Sequence, residues 1–133
     1  MGLIARRAGT LVSRRLVING EDTGATAVFS VPDIQTLRRI DRLRREGIGL
    51  ELEEEERQKI QADRARKVTS LVLASLTGFW RDEEQTEPFE LERDDEGYIS
   101  EADWASLTPY ADALVEGMLE LSSVGSYELE KNS

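Results

Sequence analysis

The sequence predicts an α+β fold, mostly α, in which an N-terminal β-hairpin packs with about four helices. Three observations lead there. Two runs rich in β-branched and aliphatic residues flank an Asn-Gly-containing segment near the N-terminus. Further along, apolar residues recur at helical spacing in several stretches. The chain has 133 residues, the size of one domain able to bury a core. Residues 1–125 are expected to form a single α+β domain and 126–133 a polar C-terminal tail.

The elements follow in order. Thr10–Ile18 and Ala25–Val31 read as the two strands, joined by the six-residue segment Asn19–Gly24. That gap is longer than the tightest hairpin turns allow, so the register is open. Pro32-Asp33 ends the second strand and opens a helix on which Ile34, Leu37, Ile40 and Leu43 recur every three residues, with arginines on the other faces. Gly47 and Gly49 are expected to stop it.

A long helix is expected next, from about Glu51 to Thr77. Its acidic start suits the positive end of the helix dipole. Its first half is polar apart from Leu52 and Ile60. Its second half carries Val68, Leu71, Val72, Ser75, Leu76 and Phe79, with Gly78 as the stop. The core is expected to unite Leu71, Val72, Leu76, Phe79 and Trp80 with Leu114 and Met118.

Short extended pieces at Phe89–Glu92 and Tyr98–Ile99 should flank a turn at 93–97. Ser100-Glu-Ala-Asp103 is a capping box opening a short helix to Leu107. Thr108-Pro109 reads as a second helix start, a capping hydroxyl before proline. Tyr110, Leu114, Met118 and Leu121 stripe that last helix, and Gly125 closes it.

Composition narrows the chemistry. There is no histidine and no cysteine, which removes imidazole- and thiolate-based catalysis, zinc sites built on those ligands and disulfides. No Gly-rich phosphate loop occurs. Carboxylates are too abundant for any pair to be diagnostic. No cofactor is expected, and the reading is of a protein that is not an enzyme. Arg6 and Arg7 interrupt the apolar start, so no signal peptide is expected. The longest uncharged run, Val68–Trp80, spans 13 residues, short of the ~20 a bilayer requires. A soluble, cytoplasmic protein with no membrane partner is therefore expected.

Charge is divided unevenly. Residues 1–67 carry 14 Lys and Arg against 11 Asp and Glu, and residues 68–133 carry 3 against 16. The net charge is −10. Arg38, Arg39, Arg42, Arg44 and Arg45 form the one basic stretch. It has no interleaved aromatic and no nucleic-acid motif, so it reads as an exposed helix face and no nucleic-acid partner is expected.

The sharpest chemical candidate is the loop 92–103. With Gly97 at position 6 of an EF-hand-like calcium loop, Glu92, Asp94 and Glu96 fall at 1, 3 and 5, Ile99 at 8 and Asp103 at 12. Glu at 1 and 5, Asp at 12 and Pro88 in place of an entering helix depart from that pattern. The other reading is an acidic turn before a capped helix, with no metal site.

Four residues are candidates for partner binding. Trp80 and Trp104 belong either to a partner-facing surface or to one core with Phe79, Phe89 and Tyr110. Leu52 and Ile60 are eight residues apart, which on a continuous helix places them on one face. That face serves self-association or client binding, or tacks the helix onto its neighbour.

The layout as a whole resembles the tail assembly chaperones of long-tailed bacteriophages. The resemblance rests on the hairpin with its Asn-Gly-Glu-Asp-Thr-Gly loop, the Val31-Pro32-Asp33 helix start, the apolar helix Val68–Thr77, Gly78-Phe79-Trp80, Pro88-Phe89 and the capped helix Ser100–Leu107. It spans roughly residues 15–122. It implies a non-enzymatic protein of the host cytoplasm, absent from the mature virion. Such a protein binds the tape measure protein and helps recruit tail tube subunits. The rival reading is a small structural or calcium-binding module with a degenerate EF-hand-like loop at 92–103.

Overall fold

A computed structural model describes residues 6–46 and 51–121. The predicted stops at Gly47, Gly49 and Gly125 and the tail 126–133 lie outside the described residues.

The hairpin is formed by β1 (Leu11–Ile18) and β2 (Glu21–Ser30), paired antiparallel. Its turn is only Asn19-Gly20, both left-handed, with φ of 53° and 79°. Asn-Gly is the pair that tolerates this geometry, whose twist matches that of the strands. The expected six-residue loop is therefore corrected. Glu21–Gly24 belongs to β2, and the surplus is absorbed by a register shift between Arg15 and Val17. There the Thr23 hydroxyl donates to the Leu16 carbonyl at 2.8 Å, and Asp22 accepts from the Gly24 amide at 2.9 Å.

Asp33 caps α1 (Ile34–Arg45), its carboxylate accepting from the Thr36 amide at 2.7 Å. Ile40 and Leu43 are buried, whereas Ile34 and Leu37 stand 67% and 51% exposed.

The long helix is shorter at both ends than the sequence predicts. α2 runs Glu54–Val72, and Leu73–Thr77 is a third strand, β3, antiparallel to β2. The sheet order is β1-β2-β3. An apolar run satisfies helix and strand periodicity alike, and pairing decides between them. β3 closes the free edge of β2 through Thr26↔Thr77, Ala27↔Leu76, Val28↔Ser75 and Phe29↔Leu73. Arg93 fixes the switch point, donating to the carbonyls of Ser70 at 2.9 Å and Leu73 at 2.7 Å. Ser70 accepts from the Ile99 amide at 2.7 Å. Gly78 then bends the chain at φ 76°, so close to β2 that a Cβ there would lie 2.9 Å from the Gly24 carbonyl oxygen.

Two isolated bridges, Trp80↔Pro88 and Arg93↔Ile99, order the acidic segment. Ser100 caps α3 (Glu101–Leu107), accepting from the Asp103 amide at 3.2 Å. A 3-10 turn at Thr108–Tyr110 joins it to α4 (Ala111–Glu120). The Thr108 hydroxyl does not cap this helix as expected. It donates backward to the Trp104 carbonyl at 3.0 Å.

Helices pack on one face of the sheet. The core unites Leu16, Ala27 and Phe29 of the hairpin and Leu73 of β3 with Ile40, Val72, Ile99, Trp104, Leu107 and Leu114. Of the predicted core, Val72 and Leu114 are buried, and Leu71, Leu76, Phe79 and Met118 pack half-buried against it. Trp80 is a correction: it is 41% exposed. Alternation in the extended strip 79–81 turns Phe79 inward, onto Tyr110 at 5.6 Å and Phe89 at 6.4 Å between ring centroids. The next side chain must point the other way.

Candidate functional site

An apolar cleft of about 570 Å³ is flanked by α1 and α4. Val68 and Val72, in the last turns of α2, form its floor. Leu37 and Ile40 line it from α1, and Val115, Met118 and Leu119 from α4. Leu37 and Leu119 are left 51% and 47% exposed. Ile34, one turn before Leu37, extends the apolar stripe beyond the cleft. Val31-Pro32 contribute where β2 hands over to α1.

The two flanking helices differ in charge. α1 carries five arginines against a single aspartate, and Arg38, Arg42, Arg44 and Arg45 are exposed. Arg44 and Arg6 reach the lining together with Asp41, which pairs with Arg45 at 3.2 Å. α4 has no basic residue and presents Asp112 and Glu116 to solvent. The charged residues of the lining are Arg6, Asp41 and Arg44, and α4 contributes only apolar side chains to it.

The second polar assembly lies beside Tyr98, away from the cleft lining. Arg66 is 7% exposed and donates to the Ile99 carbonyl at 2.8 Å, Asp63 at 3.0 Å and Asp94 at 3.3 Å. Burial works against its charge, but the two carboxylates outweigh it and raise the Arg66 pKa. Burial likewise opposes the charge of Asp63, while Arg66 and Lys67 hold its pKa below the usual value. Arg39, Arg66 and Lys67 stand over the Tyr98 ring at 4.9, 5.8 and 5.6 Å, and Arg39 also donates to the Tyr98 hydroxyl. Every group here has a structural partner, so the assembly is a clamp between α1, α2 and the 94–99 turn.

No family model, curated protein or solved structure matches this chain. The candidate site therefore stands on its own geometry.

The residues singled out from sequence are placed as follows. Asp94 closes the 94–98 turn, one oxygen accepting from the Glu96 and Tyr98 amides at 3.0 Å and the other facing Arg66. Asp103 accepts from the Glu92 amide at 2.7 Å and from Arg81 at 3.4 Å. Glu92 enters this arrangement through its backbone, and the Glu96 side chain is exposed. Among the described residues, no three carboxylates gather as a metal site requires. Asp94 and Asp103 thus direct their oxygens at backbone amides and arginines.

Leu52 precedes α2, because Glu53 is the residue before the first helical turn. It therefore does not share a helical face with Ile60, which corrects the two-turn argument. Both are half-buried. Trp104 is in the core at 9% exposure, and Trp80 is on the surface beside Pro88. None of these four lines the cleft. Sequence reasoning missed the cleft itself. Its signals are Ile34 and Leu37 in the periodic stripe of α1 and Val115 and Leu119 of α4, which fall outside the Tyr110, Leu114, Met118 and Leu121 stripe read from the sequence.

Proposed function

We propose that this protein is a non-enzymatic tail assembly chaperone of a long-tailed bacteriophage, which holds the tape measure protein in the host cytoplasm. The observation that carries the reading is the open apolar cleft between α1 and α4, with Leu37 and Leu119 half in water. A groove of this kind accepts the apolar stripe of an amphipathic helix. A long coiled-coil client exposes such a stripe until it assembles, and covering it prevents aggregation. The hairpin, the helix start at Asp33 and the capped helix at Ser100 support the same assignment, whereas the stretch 68–77 is helix only to Val72 and strand beyond it. Recruitment of tail tube subunits, and departure before the virion is complete, belong to this reading.

The test is co-expression with the tape measure protein of the same phage. The expected result is co-purification, with the client kept in the supernatant. Leu37→Asp with Leu119→Asp should abolish both without loss of the fold, since both side chains are about half exposed. A tape measure protein that precipitates equally with and without this chain, and never co-elutes, would overturn the proposal.

A further inference from the structure

We propose that Leu73–Thr77 is a two-state segment: a strand on β2 while Arg93 holds its entry, and a continuation of α2 when that hold is released. The switch is independent of the chaperone reading. Nothing separates the two elements it joins. α2 ends at Val72 and β3 begins at Leu73, with no turn between them. The segment contains neither Gly nor Pro, and Leu76 continues the helical spacing of Val68 and Val72. The first breaker is Gly78, and its φ of 76° is the left-handed geometry of a residue that closes a helix. A helix run on through Thr77 would therefore meet a residue suited to end it.

Arg93 holds the strand form. In a longer α2 the Ser70 and Leu73 carbonyls would accept from the Ala74 and Thr77 amides, four residues on. Both carbonyls instead accept from the Arg93 guanidinium, at 2.9 and 2.7 Å. The same group donates to the Gly97 carbonyl at 3.0 Å, and the Arg93↔Ile99 bridge fixes its backbone. Arg93 thus occupies the two acceptors that helix extension needs. Against this, β3 has five residues and pairs with β2 alone, across a register shift between Val28 and Phe29. Ala74 and Ser75 face solvent, and alanine favours a helix over a strand.

Release changes the reach of the chain. Five residues span about 17 Å as a strand and about 8 Å as a helix. Gly78 then withdraws from its close approach to the Gly24 carbonyl, the strip 79–89 follows, and the edge of β2 from Thr26 to Phe29 opens.

The experiment uses the full chain and reads Cα chemical shifts together with ellipticity at 222 nm. Arg93→Gln removes the guanidinium. The Cα shifts of residues 73–77 should move from the strand side to the helix side, and the ellipticity should gain the signal of about five helical residues. The chain has no cysteine, so Thr26→Cys with Thr77→Cys, partners across β2 and β3, ties the strand by one disulfide. Directly opposed strand residues lie within disulfide reach. The oxidised pair should cancel the helix gain of Arg93→Gln, and reduction should restore it. Ser75→Ala with Thr77→Ala, at two exposed positions, favours the helix with Arg93 intact and should move the same Cα shifts in the same direction.

Shifts that stay strand-like in both variants, or that fall to coil values with no gain of helix, overturn the proposal and leave Arg93 a fixed brace. A helix gain that persists in the oxidised pair lies outside 73–77 and overturns it too. If Arg93→Gln unfolds the whole domain, the double substitution at 75 and 77 decides by the same criterion. Co-purification with a tape measure protein is read separately, so failure of the switch and failure of the chaperone reading are distinguishable.

Discussion

Gly117 of α4 lies directly over the ring of Phe29 in β2: a Cβ built at Gly117 would stand 2.7 Å from Cε2 and 2.8 Å from Cζ of that ring. The missing side chain lets α4 sit down on the sheet and sets one wall of the cleft. Phe29 is fully buried, so its ring has little room to retreat. Gly117→Ala should therefore destabilise the fold by about 1–3 kcal/mol from overpacking, against a gain of at most about 1 kcal/mol from helix propensity. Urea denaturation measures the balance. A variant as stable as the parent would mean that α4 can shift away from Phe29 without cost.

Arg66 is a buried cation with three acceptors. It serves the Ile99 carbonyl and two carboxylates from a position 7% exposed. Asp63 and Asp94 keep 44% and 39% of their side chains in water, so both can be rehydrated when the guanidinium is removed. The Ile99 carbonyl loses the one donor that reaches it from Arg66 in a buried bond. Arg66→Met should cost about 2–3 kcal/mol, below the 3–5 typical when a fully buried partner is stranded. Arg66→Lys should recover little, because an ammonium is a point charge that cannot span three acceptors as the planar guanidinium does. A loss under about 0.5 kcal/mol in denaturant melts would show that water replaces the network.

Local chemistry was legible in the sequence and long-range pairing was not. The helix start at Pro32-Asp33, the Ser100 cap and the core positions Val72 and Leu114 follow from residue type and spacing, whereas the two-residue Asn19-Gly20 turn depends on the strand pairing that takes up Glu21–Gly24. Leu73–Thr77 carries apolar residues that fit a helix as well as a strand, and only the pairing with β2 decides. Arg66 could not be told from Arg64 or Lys67, since nothing local says which of three neighbouring cations turns inward. The cleft escaped for a related reason. Leu37 sits in the same periodic stripe as the buried Ile40 and Leu43, and which of them α2 covers depends on the helix crossing.

Thr69 offers a gain. It is fully buried in α2, and its hydroxyl has no hydrogen-bond partner among the described residues. Desolvating a hydroxyl without a partner costs about 1–3 kcal/mol. Valine has nearly the same shape and is the stiffer residue. Thr69→Val should raise stability by about 1 kcal/mol, visible as a higher melting temperature with an unchanged denaturant slope. A loss would indicate that a water molecule satisfies the hydroxyl.

Acid should weaken the fold through Asp94. Burial opposes its charge, but the Tyr98 and Glu96 amides and then Arg66 outweigh that and hold its pKa below the usual value. The folded state therefore holds the proton less tightly than the unfolded chain, whose carboxyl titrates near ~3.9. The stabilisation is complete at pH 7. It declines as the pH falls past that value toward the lower folded pKa. Asp63 and Asp82 are depressed too and add to the same trend. Asp94→Asn should be clearly less stable than the parent at pH 7, and the gap should close toward pH 3. A gap independent of pH would assign the effect to geometry and not to charge.

The two tryptophans should report opposite environments. Trp104 is 9% exposed within the core, and Trp80 is 41% exposed on an extended strip held to residues 87–89 by the Arg81–Glu87 and Phe89–Phe79 backbone bonds, each 2.9 Å. Acrylamide should quench the parent in two phases. Trp80→Phe should leave a blue-shifted, quench-resistant emission, and Trp104→Phe a red-shifted, readily quenched one. Stability should divide the same way. Trp104→Ala removes a large core side chain and should cost about 3–5 kcal/mol. Trp80→Ala leaves the strip's backbone bonds in place and should cost under about 1 kcal/mol. The contrast bears on function, because only Trp80 can meet a partner without unfolding the domain. If a bound partner shields Trp80 from acrylamide, the surface around Pro88 is a contact distinct from the cleft. If Trp80 proves quench-resistant in the isolated protein, the outward turn of residue 80 is wrong, and with it the alternation that places Phe79 against Tyr110.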